Sequence, residues 1–321
     1  MNRDVIVIGP LNIDLLLNGS APTNLEELQS WSGPSTVTLC AAGSAGYIAQ
    51  DLAKFGLSTA VVSTIADDPF GDSLLRILAE GGLDISGVNR QADTETAIGI
   101  YMLLFGSKKR PLTYRMPTHD PWPRHFSEDH IRLMQSARHI HCAGYLHFPD
   151  MYSGEMAEIF HQAKTRGQTT SLDPQFPLLP ITGSWMEPIR EILVNTDILM
   201  VDETEARQIT GEEDLSLAGK RLLSAGAGVV AVKQGAGGSL FFTPGSNFFQ
   251  PPVKVPDNEI VESIGAGDAY DTGLIYGFLK GWDWPLCLRF ATAAAASTLR
   301  GSGGTLSLAS ADVIETQART M

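Results

Sequence analysis

The chain has 321 residues, 43% hydrophobic and 18% charged, with a formal net charge of −13. That length suits one large α/β domain, or a domain of about 250 residues with a smaller appendage, and the composition excludes a long disordered tail. The acidic balance excludes a nucleic-acid-binding surface, which needs clustered Lys and Arg to displace counterions.

From the amino terminus, DVIVIGPLNIDLLLNG predicts a buried parallel-type strand over Val5 to Ile8, a turn at Gly9-Pro10 and a second extended piece. AAGSAGYIAQDLAKFG gives a Gly/Ser turn and a helix ending at Gly56, and STAVVSTIAD is the next strand. PFGDSLLRILAEGG reads as a helix, ARHIHCAG as a strand, GEMAEIFHQAKTRG as a helix, and QTTSLDP and TDILMVD as strands. TEARQIT and AGKRLLSAGA then read as helices and GVVAVKQG as a strand. This alternation calls for an open, mostly parallel sheet with helices on both faces. Two regions, at about 12–39 and 94–116, carry strand pieces without an intervening helix, including a hairpin around Gly106. They predict a small β-sheet lid attached to a single domain spanning 1–321.

Several features set limits. The run Lys108-Lys109-Arg110 before Pro111 reads as a solvated turn. Cys40, Cys142 and Cys287 have no C-x-x-C spacing, which argues against a disulfide framework or zinc site and fits a reducing compartment. The apolar run before Gly9 is too short for a signal-peptide core, and no segment approaches a membrane span; the expectation is cytoplasmic, with no membrane partner. His139, His141 and His147 near Cys142 read as ordinary packing. G-x-G-x-x-G, G-x-x-x-x-G-K-[ST] and G-x-S-x-G are all absent.

The strongest local signal is ESIGAGDAYDTGLIYGFLKG. Gly265, Ala266 and Gly267 can turn successive N–H groups into a concave nest at a helix start, where the macrodipole also favours an anion. Asp268 and Asp271 follow at once, and a tight turn with a helix-start carboxylate uses the same residues. In AVKQGAGGSLFF, Lys233, Gly235 and Gly238 can lay a nucleotide along the backbone with Lys233 toward a phosphate, or can form a plain hairpin. Asn12 and Asp14 share one face after the first strand and offer donors and acceptors to a polyhydroxylated ligand, or form a plain polar turn. Asp173 ends a strand, where ligands collect in open α/β sheets and where a turn is an equal use of the residue. Asp202 and Glu205, three apart at a strand end, suit the water shell of magnesium and equally an N-cap with its capping-box Glu.

Taken in order, GPLNIDLL, AAGSAGYIAQDLAKFG, ADDPFGDSLLRILAEGGLD, SLDP, VDETEARQITG, VKQGAGGSLFF and ESIGAGDAYDTGLIYGFLKG resemble the successive segments of the PfkB, or ribokinase-like, family of carbohydrate and nucleoside kinases. The resemblance covers nearly the whole chain. It implies an ATP- and Mg2+-dependent kinase acting on a hydroxymethyl group of a sugar or sugar acid, with Asp268 as general base and Gly265, Ala266 and Gly267 as anion hole. It further implies substrate contacts from Asn12, Asp14, Gly43, Ser44, Tyr47 and Asp173, nucleotide contacts from Lys233, Gly235, Gly238 and Ser263, and metal contacts from Glu205 and Asp202. Tyr114 and Arg115 in LTYRM are similar to the Y-R pair with which 2-keto-3-deoxygluconate kinases grip a carboxylate, a contact suited to Arg.

Four departures mark this chain. Tyr47 stands for asparagine, Asp202 for the asparagine of N-x-x-E, and DPQFP for D-P-N-x-R; Glu262, Ser263 and Ile264 replace D-T-T, which puts a monovalent-cation site in doubt. An adenosine-like nucleoside kinase and a catalytically weak sugar-binding sensor are the alternatives. An exposed lid sheet invites pairing between subunits and predicts a homodimer.

Overall fold

The computed structural model describes residues 3–19, 21–33, 36–102, 112–115, 126–147 and 149–321, without the side chains of residues 18, 112–115 and 153. The Lys108-Lys109-Arg110 run and the hairpin around Gly106 lie outside the described residues.

A nine-stranded sheet forms the body. In spatial order its strands are Asn247–Gln250, Ser239–Phe242, Val229–Lys233, Ile198–Asp202, Thr169–Asp173, Ala137–Ala143, Arg3–Ile8, Thr59–Ala66 and Asp84–Gln91. The seven from Val229–Lys233 onward run parallel, and the first two add an antiparallel hairpin at one edge. β-Branched runs build the centre because both faces are covered: Thr59–Ala66 is buried along its whole length. Period-2 alternation divides each strand between two cores. Val5 and Val7 pack with helices Ser44–Lys54, Ala266–Leu279 and Trp284–Thr298. Ile6 and Ile8 pack with Glu155–Thr165, Met186–Leu193, Glu203–Thr210 and Leu215–Ser224. Each such fully buried side chain contributes about 1.5–3 kcal/mol.

The second sheet has four strands in the order Thr36–Ala42, Asn12–Asn18, Ile98–Met102 and Leu112–Arg115. It gathers the two regions that break the alternation. One correction applies: a short helix, Leu25–Ser30, interrupts the first region. Asn24 caps it by accepting from the Glu27 N–H at 2.9 Å, and none of its residues is buried. Local capping, not core burial, holds this turn of helix.

All three cysteines are free and buried. Among the described residues no helix is long and apolar enough to cross a membrane.

Candidate active site

The carboxyl ends of the parallel strands finish nearly flush. Ala143 is in register with Asp173, and Asp202 with Lys233, so three of these four terminal residues are charged and all lie at one end of the sheet. Facing them is the start of helix Ala266–Leu279, whose N-cap Gly265 adopts φ 73°. A side chain there would be strained in the left-handed region and would also meet the Thr305 methyl at 2.8 Å, so only glycine lets the nest close onto that loop.

Asp268 lies in the first turn, half-buried at the floor of the cleft. Burial, reinforced by the Asp173 charge, raises its carboxyl to about 7; Lys233 and a hydrogen bond from the Ser44 hydroxyl act in the opposite direction. Asp271, one turn on, is wholly buried and points elsewhere. Its two carboxylate oxygens take Lys233 Nζ at 3.1 and 3.0 Å, and the same ammonium reaches Asp173 Oδ2 at 3.0 Å. Burial opposes charging of all three groups. The two aspartates nevertheless hold the Lys233 ammonium protonated well above its ordinary range, and Lys233 keeps the Asp173 carboxyl below its own.

The opposite wall comes from the small sheet. Asp14 Oδ1 accepts from Asn12 Nδ2 at 2.6 Å and Asp14 Oδ2 accepts from the Tyr47 hydroxyl at 2.7 Å. Tyr47 is 5% exposed, and burial with the Asp14 charge keeps its phenol protonated as a donor. It packs so closely on Gly304 that a Cβ there would fall 2.5 Å from the phenol oxygen. Gly43 is the N-cap of helix Ser44–Lys54, and Ser44 opens that helix toward Asp268.

Comparison with known proteins decides what this arrangement belongs to: the model of the pfkB family carbohydrate kinases matches residues 2–311. The chain belongs to the PfkB family of carbohydrate kinases. A 2-dehydro-3-deoxygluconokinase of Bacillus subtilis is 26% identical over 276 residues, covering 84% of this chain and 83% of its own. A 5-dehydro-2-deoxygluconokinase of Clostridium tetani is 29% identical over 309 residues, 91% of this chain and 86% of its own. Among solved structures, a putative ribokinase II of E. coli in complex with ATP and Mg2+ superposes with a TM-score of 0.80 at 20% identity, covering 99% of this chain and 100% of that one. The ribokinase-like α/β fold is therefore shared.

Within this PfkB kinase, Asp202 and Glu205 form a reciprocal capping box: the Asp202 N–H donates to Glu205 Oε2 and the Glu205 N–H to Asp202 Oδ1, each at 2.7 Å. One oxygen of each carboxylate stays outside the box. Burial, then the Asp173 charge, raises Glu205 to about 8. Among the described residues no group of three or more His, Cys, Asp or Glu could hold a metal. Two oxygen donors at a strand end fit magnesium that arrives with phosphates and keeps its waters.

Gly235 and Gly238 sit in the turn that joins strand Val229–Lys233 to the antiparallel strand Ser239–Phe242, where Lys233 pairs with Ser239. Ser263 is half-buried immediately before the nest. Tyr114 and Arg115 pair through their backbones with Ile100 and Gly99, and their side chains lie outside the description. Asp173 is 2% exposed and engaged by Lys233, so the position read as a ligand contact carries the ion pair under the site.

Sequence reasoning missed two residues. Glu262, 2% exposed, accepts from the Gly303 and Gly304 N–H groups at 2.9 Å each and from the Ser302 hydroxyl at 3.2 Å. Its carboxylate is enclosed by donors, an environment opposite to that of a cation ligand. The second is Gln175, whose Nε2 donates to Ser44 Oγ. The departure from D-P-N-x-R flagged that position without revealing its partner.

Proposed function

We propose that this PfkB carbohydrate kinase transfers the γ-phosphoryl group of ATP to a hydroxymethyl group of a sugar or sugar acid, with Asp268 as general base. The observation that carries the reading is Asp268 itself, one turn inside a glycine-capped helix start, with its carboxyl raised to about 7 and a Ser44 hydrogen bond. The nest N–H groups of Gly265, Ala266 and Gly267 stabilise charge spreading over the transferred group, while Asp268 orients the attacking oxygen and takes its proton late. Magnesium, when bound with the nucleotide, would supply neutralising positive charge, and Glu205 and Asp202 are the residues that would hold it. Asn12 and Asp14 receive the substrate hydroxyls, and the four-stranded sheet serves as a lid excluding water.

The sugar-acid preference draws on the names of the two dehydro-deoxygluconokinase relatives and gives Tyr114 and Arg115 the role of carboxylate clamp. Tyr47 weighs against a nucleoside acceptor: packed on Gly304 and bonded to Asp14, it offers no open face for a base. The test is ADP release from Mg-ATP with a panel of sugars, sugar acids and nucleosides. Release above background with a sugar or sugar acid is expected, and none with any compound would reject the kinase reading.

The same sheet supports a homodimer. Leu15 pairs with Leu39 and Ile100, and Leu17 with Val37 and Met102, so six apolar side chains share one face, with Val37 58% exposed. A second copy of this chain covers that face.

A further inference from the structure

We propose that Gln175 is a positioning residue for the base, acting through the Ser44 hydroxyl; this rests on the reading of Asp268 as the base. The backbone itself marks the position. Gln175 has φ 56°, in the left-handed region that disfavours residues with a side chain. Its surroundings hold it there: the Gln175 N–H donates to Asp173 Oδ1 at 3.1 Å, Leu146 N–H to Pro174 O at 2.8 Å, and Gly144 N–H to Asp173 O at 2.9 Å. This turn sends the Gln175 amide back across the strand ends into the cleft. Nε2 donates to Ser44 Oγ, and Oε1 lies against Gly144, 3.1 Å from where a Cβ would stand.

The chemistry of the pair is directional. A serine hydroxyl has one proton to give and lone pairs to accept with. By accepting from Gln175, Ser44 Oγ is left with its own O–H to direct toward Asp268, an interaction that favours the carboxylate form. Glutamate at position 175 inverts this. A carboxylate there accepts from Ser44 and draws the proton away from Asp268. The charged and titratable groups that face Asp268 are Asp14, Asp51, Asp173 and Lys233, none of which Gln175 touches except through its backbone bond to Asp173.

The test uses the full chain with Mg-ATP and 2-dehydro-3-deoxygluconate, or the panel sugar giving most ADP. Gln175→Glu and Gln175→Ala should lower kcat about ten-fold with sugar KM changed less than about two-fold, and should move the acid limb of kcat upward by about one pH unit, as expected for loss of one hydrogen bond to a charged group. In a Ser44→Ala background the Gln175 changes should add little, since both act through one hydroxyl. Gln175→Gly relieves the backbone while deleting the amide: it should fold, by its melting transition, and show the Ala defect. Wild-type kcat in Gln175→Gly, or effects that multiply fully with Ser44→Ala, would overturn the proposal. Turnover retained in Asp268→Asn removes the base reading and this proposal with it; an inactive Asp268→Asn beside unchanged Gln175 variants removes this proposal alone.

Discussion

The Tyr47 hydroxyl is bonded to Asp14 Oδ2 at 2.7 Å, and with Asn12 on the other oxygen it fixes the carboxylate that faces the cleft from the small sheet. Tyr47→Phe keeps the ring against Gly304 and deletes only the donor. Losing a hydrogen bond to a charged partner costs about 1.5–3 kcal/mol. The expected result is a rise of about ten-fold or more in sugar KM with ATP KM unchanged, read by steady-state kinetics.

Asp268→Asn should cut turnover by about a hundred-fold or more, the usual share of a positioned general base. Because Asp268 titrates at about 7 and acts as the anion, kcat should rise with pH through that value on the acid limb. Its folded pKa lies above the unfolded 3.8, so the folded state holds the proton more tightly. Stability linked to this group is therefore full below the unfolded value and declines as pH rises toward about 7. Thermal melts of wild type and Asp268→Asn across pH 4 to 8, about the window this shift spans, should diverge in that direction.

Lys233→Met removes the cation from between Asp173 and Asp271, both buried. Breaking a buried pair from one side costs about 3–5 kcal/mol. The variant should melt markedly lower, and Lys233→Met with Asp271→Asn should recover part of the loss.

Replacing K+ by Na+ or choline at constant ionic strength should leave kcat within about two-fold, because Glu262 is enclosed by N–H and O–H donors, the field of an anion site. A large activation by K+ would show that this carboxylate turns outward in the working enzyme.

Val37→Asp places a charge at the exposed edge of the apolar face of the small sheet. Light scattering coupled to size exclusion should report a dimer for wild type and a monomer for the variant, without loss of the fold by circular dichroism.

The legible parts of the molecule were those whose signal is local. Val5–Ile8 and Thr59–Ala66 announce buried parallel strands through continuous β-branched runs, and the G-A-G-D turn announces its helix. Asp84–Gln91 escaped because DISGVNRQ is a polar edge strand with one fully buried residue, leaving almost no hydrophobic pattern to read. Leu25–Ser30 escaped because it buries nothing, although Asn24 and Glu27 carried its cap. In the site, Asp202 and Glu205 revealed their capping box by spacing alone. Gln175 and Glu262 did not reveal their roles: their partners lie 131 and 41 residues away, and Gln175 depends on a left-handed backbone that glutamine does not advertise.

The strand order also bears on how the chain reaches this state. Arg3–Ile8, first in chain order among the described strands of this sheet, is the one flanked by Thr59–Ala66 and Ala137–Ala143. During synthesis it therefore waits, unpaired on one side, until residue 143 has left the ribosome. Such long-range parallel pairing is slow and leaves a sticky apolar strand uncovered. The nascent chain, more than the finished enzyme, is where the apolar Val5–Ile8 strand lies open to wrong pairing.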